Sequence, residues 1–236
     1  MKLENAVVFV TGANRGLGQE FARQALARGA RKVYAAARDP STVTLPGVVP
    51  VRLDVTDPAQ VAQAAADCGD VTLVVNNAGI ATAGSLLDAD SPEALRRMLD
   101  TNVFGVLHVS QAFAPVLARN GGGALLNVLS ITSWISSSFL GAYAATKSAA
   151  WSVTNGLRIE LEQQGTQVLG LHVGYIDTEM AREFDAPKTA PEVVVERAYE
   201  ALAEGRSEVL IDEVSQKVKQ GLTADPSIYL AAIKRA

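Results

Sequence analysis

Tyr143 and Lys147 stand four residues apart, and Ser130 precedes the tyrosine by thirteen. Side chains at i and i+4 share one face of a helix, so the ammonium of Lys147 can lie near the phenol of Tyr143. A phenol titrates near pH 10, too high for easy proton exchange at neutrality, and a neighbouring cation favours its ionised form. The Ser130 hydroxyl could then hold a substrate oxygen against that phenol. Such a trio is equipped to interconvert a carbonyl and an alcohol.

Upstream, an apolar strand runs into Thr11-Gly12-Ala13-Asn14-Arg15-Gly16-Leu17-Gly18. Glycines here let the backbone turn tightly and let a pyrophosphate approach. The following helix start directs its free N–H groups and its positive dipole end at that negative charge. Glycine turns join many strands to helices, so this segment is weak evidence by itself and gains force from its company.

These residues must be positioned by regular elements, and the pattern supplies them. Strands are expected over 6–10, 32–37, 48–53, 71–75, 125–129, 167–173 and 208–211. Helices are expected over 16–28, 57–67, from Ser91, and over 99–119, 142–164 and 191–204. Gly29 stops the first helix, Asp57-Pro58 starts the second, and Ser91-Pro92-Glu93 caps another. Apolar strands alternating with helices predict an α/β fold: a Rossmann-type, doubly wound parallel sheet of about seven strands, helices on both faces, three layers αβα. Ligands of such sheets gather at the carboxyl ends of the strands. Residues 11–18, Asn76 to Gly79, Ser130 and Gly174 to Thr178 all fall there.

The whole chain sets the bounds. Its 236 residues, 48% apolar, suit one α/β domain over 1–236. The net charge of −4 and the lack of a basic block argue against nucleic acid as partner. A single cysteine, Cys68, forbids an internal disulfide and fits a reducing cytosol. No signal-peptide pattern opens the chain, and no uninterrupted apolar run reaches membrane length. The longest, 124–135, is broken by Asn127, Ser130, Thr132 and Ser133. A soluble cytoplasmic protein without a membrane partner is expected. His108 and His172 read as packing residues, and no cluster has metal-ligand spacing, so no metal is expected.

In order and spacing, TGANRGLG at 11–18, Leu53-Asp54-Val55, NNAG at 76–79, Asn102, Ser130, YAATK at 143–147 and Gly174-Tyr175-Ile176-Asp177-Thr178 form a specific set. With it the chain resembles the single-domain short-chain dehydrogenases/reductases from Val7 to about Ile211. The resemblance implies a nicotinamide cofactor and hydride transfer at a carbonyl carbon. It assigns Asn102, Ser130, Tyr143 and Lys147 to catalysis. Asn102 would bind a water linking Lys147 to solvent, and Lys147 would also hold the nicotinamide ribose. Gly12, Asn14, Arg15, Gly16, Leu17 and Gly18 would cradle the cofactor, with Asp54 and Val55 at the adenine. Asn76, Asn77, Ala78 and Gly79 would stabilise the sheet end and line the adenine ribose. Gly174, Ile176 and Thr178 would hold the nicotinamide end, and Thr178 also reads as a helix cap. Two departures stand out: Val173 replaces the usual proline before Gly174, and Leu129 replaces a serine often found before the catalytic one.

The acid that receives the ribose 2′-hydroxyl of NAD would fall at Ala37 and is missing, while Arg38 follows and Arg15 sits in the glycine turn. Guanidinium groups match a phosphate dianion, so NADP(H) is the expected cofactor. The alternative keeps Asp39 as ribose ligand or as partner of Arg38. Only residues 179–190 separate Thr178 from the next helix, a short lid leaving an open site for bulky apolar ketones. Trp134, Ile135, Phe139 and Phe184 are candidate walls, and Trp134 reads equally as a subunit contact. The leading expectation is an NADPH-dependent carbonyl reductase acting on a small-molecule carbonyl or alcohol. Alternatives are a β-ketoacyl thioester reductase and a non-catalytic NADP(H) sensor. The small-residue faces of the two long helices, by the same resemblance, imply a homodimer or homotetramer.

Overall fold

The computed structural model describes residues 1–230; the last six positions of the expected domain, 231–236, lie outside it. The chain runs β1 (Val7–Thr11), α1 (Gly16–Ala27), β2 (Lys32–Ala37), β3 (Val49–Arg52), α2 (Pro58–Asp67), β4 (Leu73–Asn76), α3 (Ser91–Leu99) and α4 (Gly105–Arg119). It continues through β5 (Ala124–Val128), α5 (Gly141–Leu161), β6 (Gln167–His172), β7 (Tyr175–Ile176), β8 (Lys188–Thr189), α6 (Pro191–Ala203), β9 (Glu208–Leu210) and α7 (Glu213–Gly221).

Seven strands pair in parallel in the order β3-β2-β1-β4-β5-β6-β9. Every residue of β1 is buried, as a central parallel strand covered on both faces demands. Val8 and Val10 face α1 and α6, while Val7 and Phe9 face α2, α4 and α5. Phe9 meets Phe113 of α4 with ring centroids 4.5 Å apart. Truncating such a buried ring to Ala costs about 3–5 kcal/mol. β3 lies at the edge, where Pro50 can lack an N–H without breaking an inner ladder. Strand order reverses between β1 and β4, which opens a crevice at their carboxyl ends.

Local signals explain most boundaries. Asp57 caps α2 by accepting from Ala59 N–H at 2.9 Å and Gln60 N–H at 3.3 Å, with Pro58 in the first turn. Gly165, at φ 73°, ends the run from α5 through a last 3₁₀ turn.

Three features depart from expectation. The helix expected from 99 is continuous from Ser91 to Arg119, because α3 and α4 are joined through a π-helical turn, Asp100–Phe104. Polar Asp100, Thr101 and Asn102 interrupt the apolar periodicity there, so the sequence reads as two helices. Among the described residues this is the one helix long and apolar enough to cross a membrane, and half of its most apolar stretch is buried inside the protein. The paired strands β7 and β8 are too short to leave a periodic pattern. Helix α7 also went unforeseen, although Asp212 caps it through Ser215 N–H at 2.7 Å.

Candidate active site

The glycine turn sits at the crevice. Gly12 adopts φ +65°, and a Cβ on Gly18 would lie 2.1 Å from the Gly12 carbonyl oxygen. Only glycine fits at either position. The turn is braced from β4: Asn77 Nδ2 donates to the carbonyls of Thr11 at 2.9 Å and Gly12 at 3.2 Å. The Thr11 hydroxyl accepts from the N–H groups of Asn77 and Ala78, both at 3.0 Å. Helix α1 then starts with no side-chain cap and no acidic residue in its first turn. Its exposed N-terminal donors fit an anionic pyrophosphate.

Helix α5 carries Tyr143 and Lys147 up to Ser130, which follows β5. The Tyr143 ring packs against Ala94, Met98 and Ala142, so α3 orients it. Ser130 Oγ accepts twice from Thr132, from its N–H at 3.1 Å and its hydroxyl at 3.0 Å. The Ser130 proton is therefore left to donate outward. Lys147 is buried, its ammonium donates to the Val128 carbonyl at 2.9 Å, and it stands 5.7 Å from the Tyr143 ring centroid.

The expected electrostatics need correction. Burial pushes the Tyr143 phenol above its usual value; a hydrogen bond with Ser130 pulls it down, and nearby Tyr175 adds to the rise. Lys147 is not among the groups acting on it. Burial instead lowers Lys147 itself to about 8. Burial alone disfavours the cation, and at about 8 the lysine still carries its charge at neutral pH.

Two asparagines are tied into the scaffold of the site. Asn102 lies in the π-helical turn, where its side chain holds both backbone groups of Ile80 and donates to Thr146 Oγ1 at 3.0 Å. Both amide protons are spent, so this side chain braces a loop. Asn76 braces the sheet end. It is buried beneath the sheet end, donating to Asn127 Oδ1 at 2.9 Å and Ser110 Oγ at 3.2 Å. Gly79 approaches Asn102, with space for a Cβ limited to 3.3 Å.

At the corner beyond β2, Ala37 is buried and Arg38 is exposed. Asp39 is committed locally: its carboxylate accepts from Ser41 N–H at 3.0 Å and Ser41 Oγ at 2.7 Å, and these bonds hold it below its usual value. The β2–β3 register sets Arg52 beside Ala37, with its guanidinium 3.5 Å from the Arg38 carbonyl. Arg52 escaped sequence reasoning because only strand pairing brings it there. Arg15 is exposed and ion-paired with Glu179 across the cleft mouth. Asp54 accepts from Thr56 N–H at 2.9 Å and its hydroxyl at 2.7 Å. Val55 is buried, and its carbonyl faces His108 Nδ1 at 3.3 Å. Asn14 is partly buried in the turn and Leu17 packs into the core.

The remaining edge holds Gly174, Ile176 and Thr178. Gly174 N–H donates to Asp212 at 2.7 Å, and the Val173 carbonyl accepts from Ile131 N–H at 3.0 Å. These bonds fix the strand exit that lacks its proline; Asp212 was invisible beforehand because it comes from the far side of β9. Thr178 faces Gly16, its methyl 3.5 Å from where a Cβ would stand, and makes no side-chain cap bond. Trp134 packs against β6 and α5. It stacks on His172 with centroids 3.9 Å apart and meets Trp151 edge-on at 6.2 Å. Phe139, Phe184 and Tyr175 do cluster at the mouth, Phe184 lying 5.8 Å and 5.1 Å from the other two.

A doubly wound sheet with a bare glycine turn at its switch point and a tyrosine, lysine and serine at one rim defines a nucleotide-dependent oxidoreductase. Residues 6–189 match the family described as short chain dehydrogenase, and the chain belongs to that family. It is therefore an oxidoreductase acting on CH–OH or carbonyl groups. A short chain dehydrogenase from Burkholderia cenocepacia J2315, crystallised in complex with NADP, superposes with TM-score 0.92 at 42% identity over 96% of each chain. Dehydrogenase/reductase SDR family member 7B of Bos taurus is 34% identical across 99% of this chain and 78% of its own length. Galactitol 2-dehydrogenase (L-tagatose-forming) of Cereibacter sphaeroides is 35% identical over 76% of this chain and 74% of its own.

Proposed function

We propose that this chain, as one domain over 1–236, reduces a ketone or aldehyde to an alcohol with NADPH, reversibly. The observation that carries the reading is the double acceptance by Ser130 Oγ from Thr132, which directs the serine proton toward the Tyr143 oxygen, where a carbonyl oxygen would meet both groups. The bound cofactor supplies hydride to the carbonyl carbon. Tyr143 hands its proton to the oxygen as negative charge develops there, and Ser130 orients that oxygen with a second hydrogen bond. A neutral, proton-bearing phenol is the form a reduction needs, and its burial favours that form. Lys147, which bonds the Val128 carbonyl, would hold a ribose hydroxyl of the cofactor.

Several observations support NADP(H) over NAD(H). No carboxylate ends β2, Asp39 is engaged by Ser41, and Arg38 stands free at the corner with Arg52 beside it. The NADP complex of the 42% identical relative agrees. Arg15 would join the phosphate by leaving Glu179. For the substrate, the aromatic group Phe139, Tyr175 and Phe184 favours apolar or aryl ketones. Residues 179–190 form the lid, anchored by the β7–β8 pairing. Exposed Phe104 and Ile159 on the long helices support assembly of copies through these faces.

The decisive test is Tyr143→Phe, assayed by NADPH oxidation over a panel of small and bulky aryl ketones. The variant should lose about 10²–10⁴-fold in kcat while its NADPH affinity, read by fluorescence, stays near wild type. Wild-type turnover by the variant would refute the mechanism.

A further inference from the structure

His172 ends β6 and is wholly buried, on the sheet face that carries Tyr143 and Lys147. Its Nδ1 lies 3.1 Å from the backbone carbonyl of Ser130. A carbonyl oxygen only accepts, so Nδ1 must carry the proton in this contact. Its Nε2 lies 3.4 Å from a carboxylate oxygen of Glu208 on β9 and makes no hydrogen bond. Glu208 is held down to about 2, first by His172 and then by Lys219, whose ammonium is 2.9 Å away. Lys219 belongs to α7 and stands 4.6 Å from the ring centroid of Trp134. Trp134 follows the 3₁₀ turn that Ser130 caps, and it stacks on the face of His172. Glu208 in turn acts on the half-buried Arg158 guanidinium of α5, opposing the effect of burial there.

The turn bearing Ser130 is thus gripped at two points by one imidazole. The ring bonds the carbonyl at the start of the turn, and its face carries the tryptophan at the end. Nothing in the proton transfer proposed above uses His172. We propose that His172 is a positioning residue, which fixes the Ser130 hydroxyl by bonding its backbone carbonyl and by stacking on Trp134 at the end of that turn. Motion of Ser130 by a fraction of an ångström would spoil the carbonyl pose without touching the cofactor site.

The inference rests on the carbonyl-reductase reading, so its test has one arm independent of turnover. The chain contains two histidines, and ¹⁵N-histidine labelling with a His108→Gln control assigns both. At neutral pH the ring-nitrogen shifts should show His172 Nδ1 protonated, with or without NADPH; an unprotonated Nδ1 overturns the proposal even if no ketone is ever reduced. Absent turnover in the wild type would instead sink the functional reading alone. The second arm compares His172→Leu with His172→Asn, whose amide nitrogen falls near Nδ1 and keeps a donor. The leucine variant should lose about ten-fold in kcat, the scale of one failed hydrogen bond, with NADPH affinity unchanged. The asparagine variant should recover most of that rate. Wild-type kcat in the leucine variant, or equal loss in both, rules out the positioning role. Should His172→Leu fail to fold, the asparagine variant and the nitrogen shifts decide: a slow, folded His172→Asn counts against the proposal.

Discussion

The side chain of Asn102 closes both backbone groups of Ile80: Oδ1 accepts from its N–H and Nδ2 donates to its carbonyl, each at 2.9 Å. One amide thereby acts as a strand partner for a single residue. It pins the segment leaving β4 against the π-helical turn, and that turn aims the amide inward. Asn102→Ala should strip two backbone groups of partners and cost about 2–4 kcal/mol of stability, read as a drop in thermal midpoint. An unchanged midpoint would mean that the loop finds other partners.

Thr132 polarises Ser130. Thr132→Val removes the hydroxyl donor to Ser130 Oγ but keeps the N–H. About a five-fold fall in kcat is expected, with cofactor affinity constant, since a neutral hydrogen bond contributes about 1 kcal/mol. If kcat holds while affinity falls, the hydroxyl serves the cofactor side instead.

Lys147 gives a pH signature in the cofactor-free protein. Its folded value of about 8 lies below the ordinary 10.5. Below pH 8 the folded protein carries a buried cation, and the destabilisation is full. Between 8 and 10.5 the unfolded chain binds more protons than the folded one, so stability from this group rises with pH. Cys68 acts oppositely: burial raises its thiol from 9.0 to about 12, so its contribution is lost as pH rises through that range. Both proteins share Cys68, so the difference between wild type and Lys147→Met isolates the lysine. The variant's stability advantage should shrink between pH 8 and 10.5, and a constant difference would contradict the burial argument.

Arg38 should set cofactor choice. Arg38→Ala is expected to weaken NADPH binding by about ten- to a hundred-fold, the scale of hydrogen bonds to a charged group, and to leave NADH nearly unaffected. Equal losses for both cofactors would move the phosphate contact elsewhere, with Arg52 the nearest alternative.

What could be read from the chain beforehand was whatever is local or periodic. Apolar runs such as 7–10 specify strands buried on both faces, Asp57-Pro58 starts a helix, and a four-residue spacing places Tyr143 and Lys147 on one helical face. Each depends only on backbone stereochemistry and neighbours a few residues away, and together they sufficed for the doubly wound sheet. Register and packing decided the rest. Arg52 reaches Arg38, Asp212 reaches Gly174, and His172 reaches Ser130 because parallel pairing and α7 bring together positions 14 to 42 residues apart. Tertiary structure also set which groups Asn102 and Asn76 hold and how burial acts on Lys147. A side chain's hydrogen-bond partners and its solvation are set by what surrounds it in space, and neither is encoded in its neighbours along the chain.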